Sequence, residues 1–296
     1  MSDETNKQSD LRSLFSDHRR DATRNLYVYA VVSRRSRGLS VGVNLNPDFA
    51  CNFDCVYCCV DRSRQPRTRA VDPAVLAAEL DDMLNRAVDG SLYTVAPFRH
   101  APPALRRIND IAFSGDGEPT ASPHFTEAVR IAAEARRRFG LDEVKLVVIT
   151  DACYLTRPAV RPALKLLDEN NGEIWAKLDA GTEDYYRRVN RPNVPLREVL
   201  DNILAVARER EIVLQSIFMN LEGQPPTDAE IVAYADRVAA LLADGARIRL
   251  VQMYTTARWT AERYVTPLTD EQLDRFIEIV RGRVSVPIEA YYGVGE

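Results

Sequence analysis

Histidine is nearly missing from this chain: His18, His100 and His124 are the three in 296 residues. None lies beside the cysteines, so an imidazole-based metal site is excluded there. Long apolar runs are missing too. No stretch approaches the roughly 18–20 apolar residues of a membrane span, and no transmembrane helix or membrane partner is expected. The opening residues, MSDETNKQSDLRSLFSDHRRD, have no apolar core and do not read as a secretory signal. A polar, disordered tail is expected over residues 1–20, followed by a single α/β domain over 21–296, in a cytoplasmic protein. No internal repeat or low-complexity block occurs. Positive charge is not in excess, with 39 Lys and Arg against 43 Asp and Glu. The net charge of −4 argues against a protein whose whole surface binds nucleic acid. Five cysteines, four of them packed into nine residues, do not make a disulfide framework.

What is there begins with arginine. Arg19, Arg20, Arg24, Arg34, Arg35 and Arg37 precede the cysteines, and Arg62, Arg64, Arg67 and Arg69 follow them. They read either as solvated loops or as the rim of a site for an anionic substrate.

Short β-rich runs at 41–46, 110–114, 144–150, 173–179, 212–218 and 247–254, with a last one near 286–291, alternate with long helical patterns. Most are continuously apolar, as strands buried on both faces of a parallel sheet should be. Asp72-Pro73 and Ser122-Pro123 place a capping side chain before a proline at the first helical position. Thr227-x-x-Glu230 and Thr269-x-x-Gln272 read as capping boxes, and Gly140 and Gly245 as helix stops. Such alternation implies right-handed βαβ units. About six parallel strands predict an open or partial (β/α)6 barrel; a flat doubly wound sheet is the alternative that this pattern leaves open. In both, ligands gather at the carboxyl ends of the strands. The cysteines follow the first strand, and Ser114-Gly-Asp-Gly-Glu-Pro-Thr120 follows the second. Thr150 and Asp151 end the third strand, and Lys177 and Asp179 the fourth. Gln215 and Ser216 lie near the end of the fifth.

The cysteine run is Cys51-Asn-Phe-Asp-Cys55-Val-Tyr-Cys58-Cys59. Thiolates spaced C-x3-C-x2-C can hold three corners of a [4Fe–4S] cube and leave its fourth iron open to a non-protein ligand. The alternative is a zinc site, for which Cys59 makes the fourth ligand by count, although neighbouring residues rarely both reach one small ion. Two glycines at 115 and 117 let backbone approach a ligand closely, with the Glu118 carboxylate beside them; a tight strand-to-helix turn explains them equally. Asp179 is placed to bond ribose hydroxyls or substrate. Lys177 reads as a catalytic amine if desolvated, or as the buried salt-bridge partner of Asp179. Gln252 and Tyr254 reach either a ligand or the core.

The cysteine spacing, with Tyr57 just before the last cysteine and the whole loop after the first strand, resembles the radical S-adenosylmethionine superfamily. The resemblance implies an iron–sulfur enzyme of oxidoreductase or lyase type. In such enzymes three cysteines, here Cys51, Cys55 and Cys58, hold a [4Fe–4S] cluster whose open iron binds S-adenosylmethionine. Reductive cleavage of that cofactor yields a radical that takes hydrogen from the substrate. It further implies Tyr57 near the adenine, Gly115, Gly117 and Glu118 around the methionyl amino group, and Gln215 and Ser216 at ribose and carboxylate. Thr150 and Asp179 join this cofactor-binding set, and Asp116 stands as an insertion between the glycines. The segments NLNPDFACNFDCVYC, FSGDGEPT, AKLDAGTEDYYRRVNRP and VQMYTTAR are similar to the wyosine-synthetase-like branch, which modifies transfer RNA. No cysteine precedes Cys51 to hold a second cluster. Three readings result: a radical enzyme for a small-molecule or nucleotide substrate, served by a reductant such as flavodoxin or ferredoxin; an RNA-modifying enzyme; or a zinc-stabilised binding module.

Overall fold

Each of the seven apolar runs becomes a strand of one curled sheet. The structure is a computed structural model and describes residues 25–293; the tail expected over residues 1–20 lies outside them. The strands are β1 (Val28–Ser33), β2 (Gly38–Val43), β3 (Ile108–Phe113), β4 (Lys145–Thr150), β5 (Gly172–Lys177), β6 (Ile212–Ile217), β7 (Met219–Leu221), β8 (Ile248–Tyr254), β9 (Val265–Pro267) and β10 (Ile288–Tyr291). Between them run α1 (Pro73–Val88), α2 (Phe125–Arg138), α3 (Arg161–Asp168), α4 (Glu183–Asn190), α5 (Leu196–Glu209), α6 (Asp228–Ala243) and α7 (Asp270–Arg281). The main sheet is ordered β1-β2-β3-β4-β5-β6-β8-β10. All neighbours are parallel except the hairpin β1–β2. Six helical crossovers therefore join seven parallel strands into a half barrel, as the alternation predicts, and β7 pairs with β9 as a small antiparallel flap.

The hairpin's first strand, in the apolar run 26–32, is not among the expected strands, and the hairpin helps to shape the barrel. Its turn meets the far edge of the sheet. The Arg34 guanidinium donates to the Tyr292 carbonyl, Arg37 pairs with Glu289 at 3.4 Å, and the Tyr291 hydroxyl reaches the Arg35 carbonyl at 3.5 Å. The two edges are thereby tied by side chains instead of a ladder.

Helix boundaries follow their caps. Asp72 accepts the Ala74 and Val75 amides at 2.9 and 3.3 Å, with Pro73 at the first helical position. Thr269 and Gln272 form the complete capping box. Thr227 caps α6, but the Glu230 carboxylate leaves the box and bonds the Gly181 and Thr182 amides instead, at 2.6 and 3.2 Å. Those amides would otherwise be buried without partners, and that demand outweighs the local box. Ser122 spends its hydroxyl on the His124 amide at 3.3 Å, so α2 starts at Phe125, later than the Ser-Pro signal places it. Gly140 and Gly245 sit at φ of 64° and 91°, the left-handed backbone of a helix stop.

The main core lies between the sheet and its helices. A smaller apolar layer of Ala112, Val147, Trp175 and Val213 fills the barrel interior. At the amino ends of these strands, Glu173 takes Lys145 at 2.5 Å and Arg249 at 2.7 Å. Burial alone would raise the Glu173 carboxyl, but Lys145, Trp175 and Arg249 outweigh it and hold it below its ordinary value. The amino ends of these strands are thus polar.

Candidate active site

Backbone packing explains where the cysteines sit. The loop leaving β2 is clamped from one side by the turn after β3. Asn44 accepts the amides of Asn46 and Asp116, both at 3.1 Å, and donates to the Asp116 carboxylate at 2.5 Å. A Cβ at Gly115 would lie 2.4 Å from the Asn44 Oδ1, and one at Gly117 only 1.9 Å from the Ala50 carbonyl oxygen. Both glycines are required for the two loops to touch, next door to Cys51. From the other side the loop hangs on the end of α4, whose last carbonyls lack helical donors. The Val56 amide donates to Val189 O at 2.9 Å, and the Asp54 amide to Asn190 O at 3.2 Å. Phe53 packs edge-on against Tyr186, with centroids 5.7 Å apart. Arg191, in left-handed backbone at φ 42°, ion-pairs with Asp54 at 3.3 Å and Glu262 at 2.7 Å.

Cys51, Cys55 and Cys58 are partly buried reduced thiols on this clamped loop; Cys59 is exposed and Cys153 buried. Burial pushes Cys51 up to about 11 and Cys55 up to about 12. These thiols are protonated at neutral pH, so a bound metal must displace protons. Among the described residues, no three His, Cys, Asp or Glu side chains converge on a single-ion site. Three thiols on one short loop are the donor set that a soft, thiolate-held group requires. Around them Asn52 Oδ1 and Asn190 Oδ1 are buried without partners, while Asn52 Nδ2 and Asp151 face Cys153. Buried polar atoms in folded proteins are nearly always satisfied, so those two oxygens are the places where a bound group would supply partners. The residues fit a thiolate-held iron–sulfur cluster.

Beyond Cys55 a polar row crosses the mouth of the barrel. Asn190 Nδ2 lies 3.5 Å from the Cys55 sulfur and 3.0 Å from Asp179. Asp179 also accepts the Tyr57 hydroxyl, the Ile217 amide at 3.1 Å and the Lys177 ammonium at 2.9 Å. Lys177 reaches on to the Tyr254 hydroxyl at 2.7 Å and lies about equally over the Tyr57 and Tyr254 rings, at 5.0 and 4.9 Å. Burial by itself would lower the Lys177 ammonium, but Asp179 and Tyr254 overcome it and hold it above its ordinary value. Lys177 is therefore a buried cation paired with Asp179, the salt bridge that was one of its two sequence readings, and not a free amine.

The remaining predicted residues divide. Tyr57, Gly115, Asp116, Lys177 and Gln215 line one cavity of about 1020 Å³, together with Cys58. Gln215 donates to Gln252 at 3.1 Å inside the barrel. Glu118 is buried and faces inward to its own loops. It accepts the Thr120 hydroxyl, the Thr120 amide at 3.0 Å, the Thr150 hydroxyl at 2.7 Å and the Asp151 amide at 2.8 Å. Glu118 and Thr150 thus brace the ends of β3 and β4 and form no part of the cavity wall. Ser216 points to the helix side of the sheet, where its hydroxyl meets the Tyr234 hydroxyl at 2.7 Å. Period-two alternation carried that signal: Gln215 and Ser216 are adjacent on a strand and must face opposite ways. Sequence reasoning missed Asn44, Asn190 and Glu230. Each acts across more than 40 positions or through a helix end, and only the Asn-Arg-Pro run after α4 hinted at one of them.

Residues 45–234 match the family model of the radical SAM superfamily. A UPF0026 protein of Methanocaldococcus jannaschii is 23% identical over 256 residues, covering 85% of this chain and 70% of that protein. A GTPase Obg of Brachyspira hyodysenteriae is 20% identical over 264 residues; this chain spans only 34% of its length. Among solved structures, archaeal TYW1 is 15% identical with a TM-score of 0.45, covering 84% of this chain and 73% of that one.

Proposed function

The chain belongs to the radical SAM superfamily, whose enzymes use a [4Fe–4S] cluster and S-adenosylmethionine, and from that premise we propose that Cys51, Cys55 and Cys58 hold the cluster and that the cavity beside them receives a small-molecule or nucleotide substrate. The bound cofactors supply one-electron cleavage of the sulfonium and hydrogen abstraction, with the electron coming from a reductant such as flavodoxin or ferredoxin. The observation that carries the reading is the cavity. At about 1020 Å³ it sits at the upper end of the roughly 300–1,000 Å³ that suits one drug-sized ligand, and it opens onto Cys58 and Tyr57.

The chain's own residues have defined work there. Gly115 and Gly117 let the turn after β3 lie against the cysteine loop, and Gly115 lines the cavity. Tyr57 offers a ring face held in place by Asp179, while Asp179 is saturated and acts by positioning Tyr57 and Lys177. The ammonium of Lys177, fixed between two tyrosine rings, is a cation in a largely dry wall, where it attracts an electron-rich group more strongly than in water. Ala112 and Trp175 of the apolar layer form part of the cavity wall.

A second reading, an RNA substrate, is favoured by the rim. Trp259 is 96% exposed and lines the same cavity as Arg64 and Arg67. An exposed aromatic among arginines is a stacking platform for single-stranded bases. Described helices include none long and apolar enough to cross a membrane. Anaerobic reconstitution with iron and sulfide, followed by reductant and S-adenosylmethionine, tests the proposal: 5′-deoxyadenosine is expected from the native chain and not from Cys55→Ala.

A further inference from the structure

Asn190 is held to the cysteine loop twice. It ends α4, and its main-chain carbonyl accepts the Asp54 amide at 3.2 Å. Its side-chain nitrogen lies 3.5 Å from the Cys55 sulfur, within hydrogen-bond reach of so large an atom. The same nitrogen reaches the Asp179 carboxylate at 3.0 Å and the Tyr57 oxygen at 3.3 Å. The residue is 1% exposed, so these contacts are made out of solvent. An asparagine's oxygen and nitrogen are told apart by their surroundings. Asp179, ion-paired with Lys177, only accepts, and the Tyr57 hydroxyl spends its own proton on Asp179. The Cys55 sulfur becomes an acceptor as a thiolate. Acceptors on every side fix the NH2 group here and turn Oδ1 away, where it has no partner.

Two hydrogens serve these three acceptors. The Asp179 bond is the shortest and takes one; the other is left for the Cys55 sulfur and the Tyr57 oxygen. Asp179 therefore orients the amide, and Lys177, paired with Asp179 at 2.9 Å, fixes Asp179 in turn. The positive end of the amide dipole stands between two groups that are both anions once the sulfur is a metal ligand. A thiol accepts such a bond weakly, whereas a thiolate makes it charge-assisted. The donor is thus already in position for the ligand form of Cys55. Hydrogen bonds to the sulfurs help to set the reduction potential of an iron–sulfur cluster. The reduced cluster carries one more negative charge than the oxidised one, so a donor at its sulfur favours the reduced form.

Resting on the reading of Cys51, Cys55 and Cys58 as cluster ligands, we infer that Asn190 acts through Cys55 to raise the reduction potential of the cluster, easing the transfer of one electron onto it from the reductant. Asn190 is a positioning residue in this role. It donates to the sulfur and also separates that sulfur from Asp179. Its loss removes a donor and leaves two negative groups facing each other across the space of one amide. Both effects act in the same direction and favour the oxidised cluster.

The test is an anaerobic redox titration of the reconstituted protein with dithionite and mediators, without S-adenosylmethionine, following the reduced cluster by electron paramagnetic resonance. Asn190→Leu keeps much of the side-chain volume and removes the donor. Its midpoint potential is expected to fall, the equilibrium shifting at least about threefold toward the oxidised cluster, or about 28 mV for one electron. Asn190→Ala is expected to shift the same way and carries the test should Asn190→Leu fail to fold. Asn202→Leu is the control for losing a buried asparagine, since the Asn202 bonds go to the Cys153 carbonyl at 3.0 Å and the Thr156 hydroxyl at 2.8 Å. It should unfold more easily yet keep the native potential. Iron and sulfide content report whether each cluster is intact. An unchanged or raised potential in the Asn190 variants, or an equal fall in Asn202→Leu, overturns the inference. So does failure of both Asn190 variants to assemble a cluster that the native chain assembles, which would make the residue structural. 5′-Deoxyadenosine measured on the native chain separates the two levels. If it forms while the potential does not move, the role of Asn190 falls and the radical SAM reading stands; if the native chain assembles no cluster, both fall.

Discussion

Replacing Asp179 by asparagine keeps the shape of a buried residue and removes its charge. In the native protein the Asp179 carboxylate has only 1% of its side chain exposed, and the Lys177 ammonium paired with it has 13%. Asparagine keeps one acceptor oxygen, enough for the Ile217 amide or for the Tyr57 and Asn190 donors but not for both sides, and it leaves Lys177 a buried cation without a counter-charge. Breaking a buried pair from one side costs about 3–5 kcal/mol, a large share of the roughly 5–15 kcal/mol that holds a domain folded. Lys177→Met should cost less, because Tyr57, Asn190 and the Ile217 amide still donate to Asp179. The double variant Lys177→Met/Asp179→Asn removes both charges and is expected to recover at least about 2 kcal/mol of the summed single losses. Urea unfolding, with the denaturant dependence unchanged across the set, reads all four corners of the cycle. The Lys177 contribution is fully present below the unfolded value of about 10.4 and is lost only as pH rises past the still higher folded value. Without Asp179, burial lowers the Lys177 ammonium, so the penalty for Asp179→Asn should be largest near about pH 6 and shrink toward about pH 9 as the variant sheds that proton. Single losses that add to within about 0.5 kcal/mol would show that water screens the pair, and the description of a dry polar row would be wrong.

Three further outcomes follow from other parts of the structure. Asp110, bonded to Ser40, is raised by burial to about 6 from the ordinary value near 3.9. The native state then holds a proton that the unfolded chain releases, so stability falls as pH rises from about 4 through about 6. Asp110→Asn should abolish that slope and stabilise the protein at neutral pH by up to about 3 kcal/mol, read by unfolding at several pH values. Gly117→Ala drives a Cβ into the Ala50 carbonyl. It should lower the iron retained after reconstitution while the helices, by circular dichroism, stay intact. Cys59→Ala and Cys153→Ala should keep full iron content; loss of iron in the Cys59 variant would reassign the ligand set.

Much of this was legible in the sequence where the physics is local. Continuous apolar runs marked all seven parallel strands, because strands covered on both faces need no alternation. The Asp72 and Thr269 caps act within three residues and formed as read. The cysteine spacing and the glycine pair were visible as motifs. Their structural reason, the 1.9 Å approach of Gly117 to Ala50, was not, since it depends on two loops meeting in space. What local patterns did not reveal came from long-range competition. Glu118 stood among cofactor-binding candidates, yet in the fold it is enclosed by Thr120, Thr150 and the Asp151 amide. Glu230 abandoned a local box for Gly181, 49 positions away. β1 went unread although residues 26–32 are a continuous apolar run; as an edge strand it is half-buried and leads straight into an arginine-rich turn. Because of that turn, the arginines before the cysteines divided: Arg34 and Arg35 line the cavity, while Arg37 remains outside on Glu289.

The central claim is that Cys51, Cys55 and Cys58 hold a cluster that cleaves S-adenosylmethionine. The most direct measurement is 5′-deoxyadenosine, quantified by mass spectrometry after anaerobic reconstitution and addition of reductant and S-adenosylmethionine, on the native chain and on Cys51→Ala, Cys55→Ala and Cys58→Ala. A brown native protein that releases the nucleoside, with none from the three variants, is the expected result. A colourless, zinc-loaded native protein that releases none would contradict it and return the loop to a structural role.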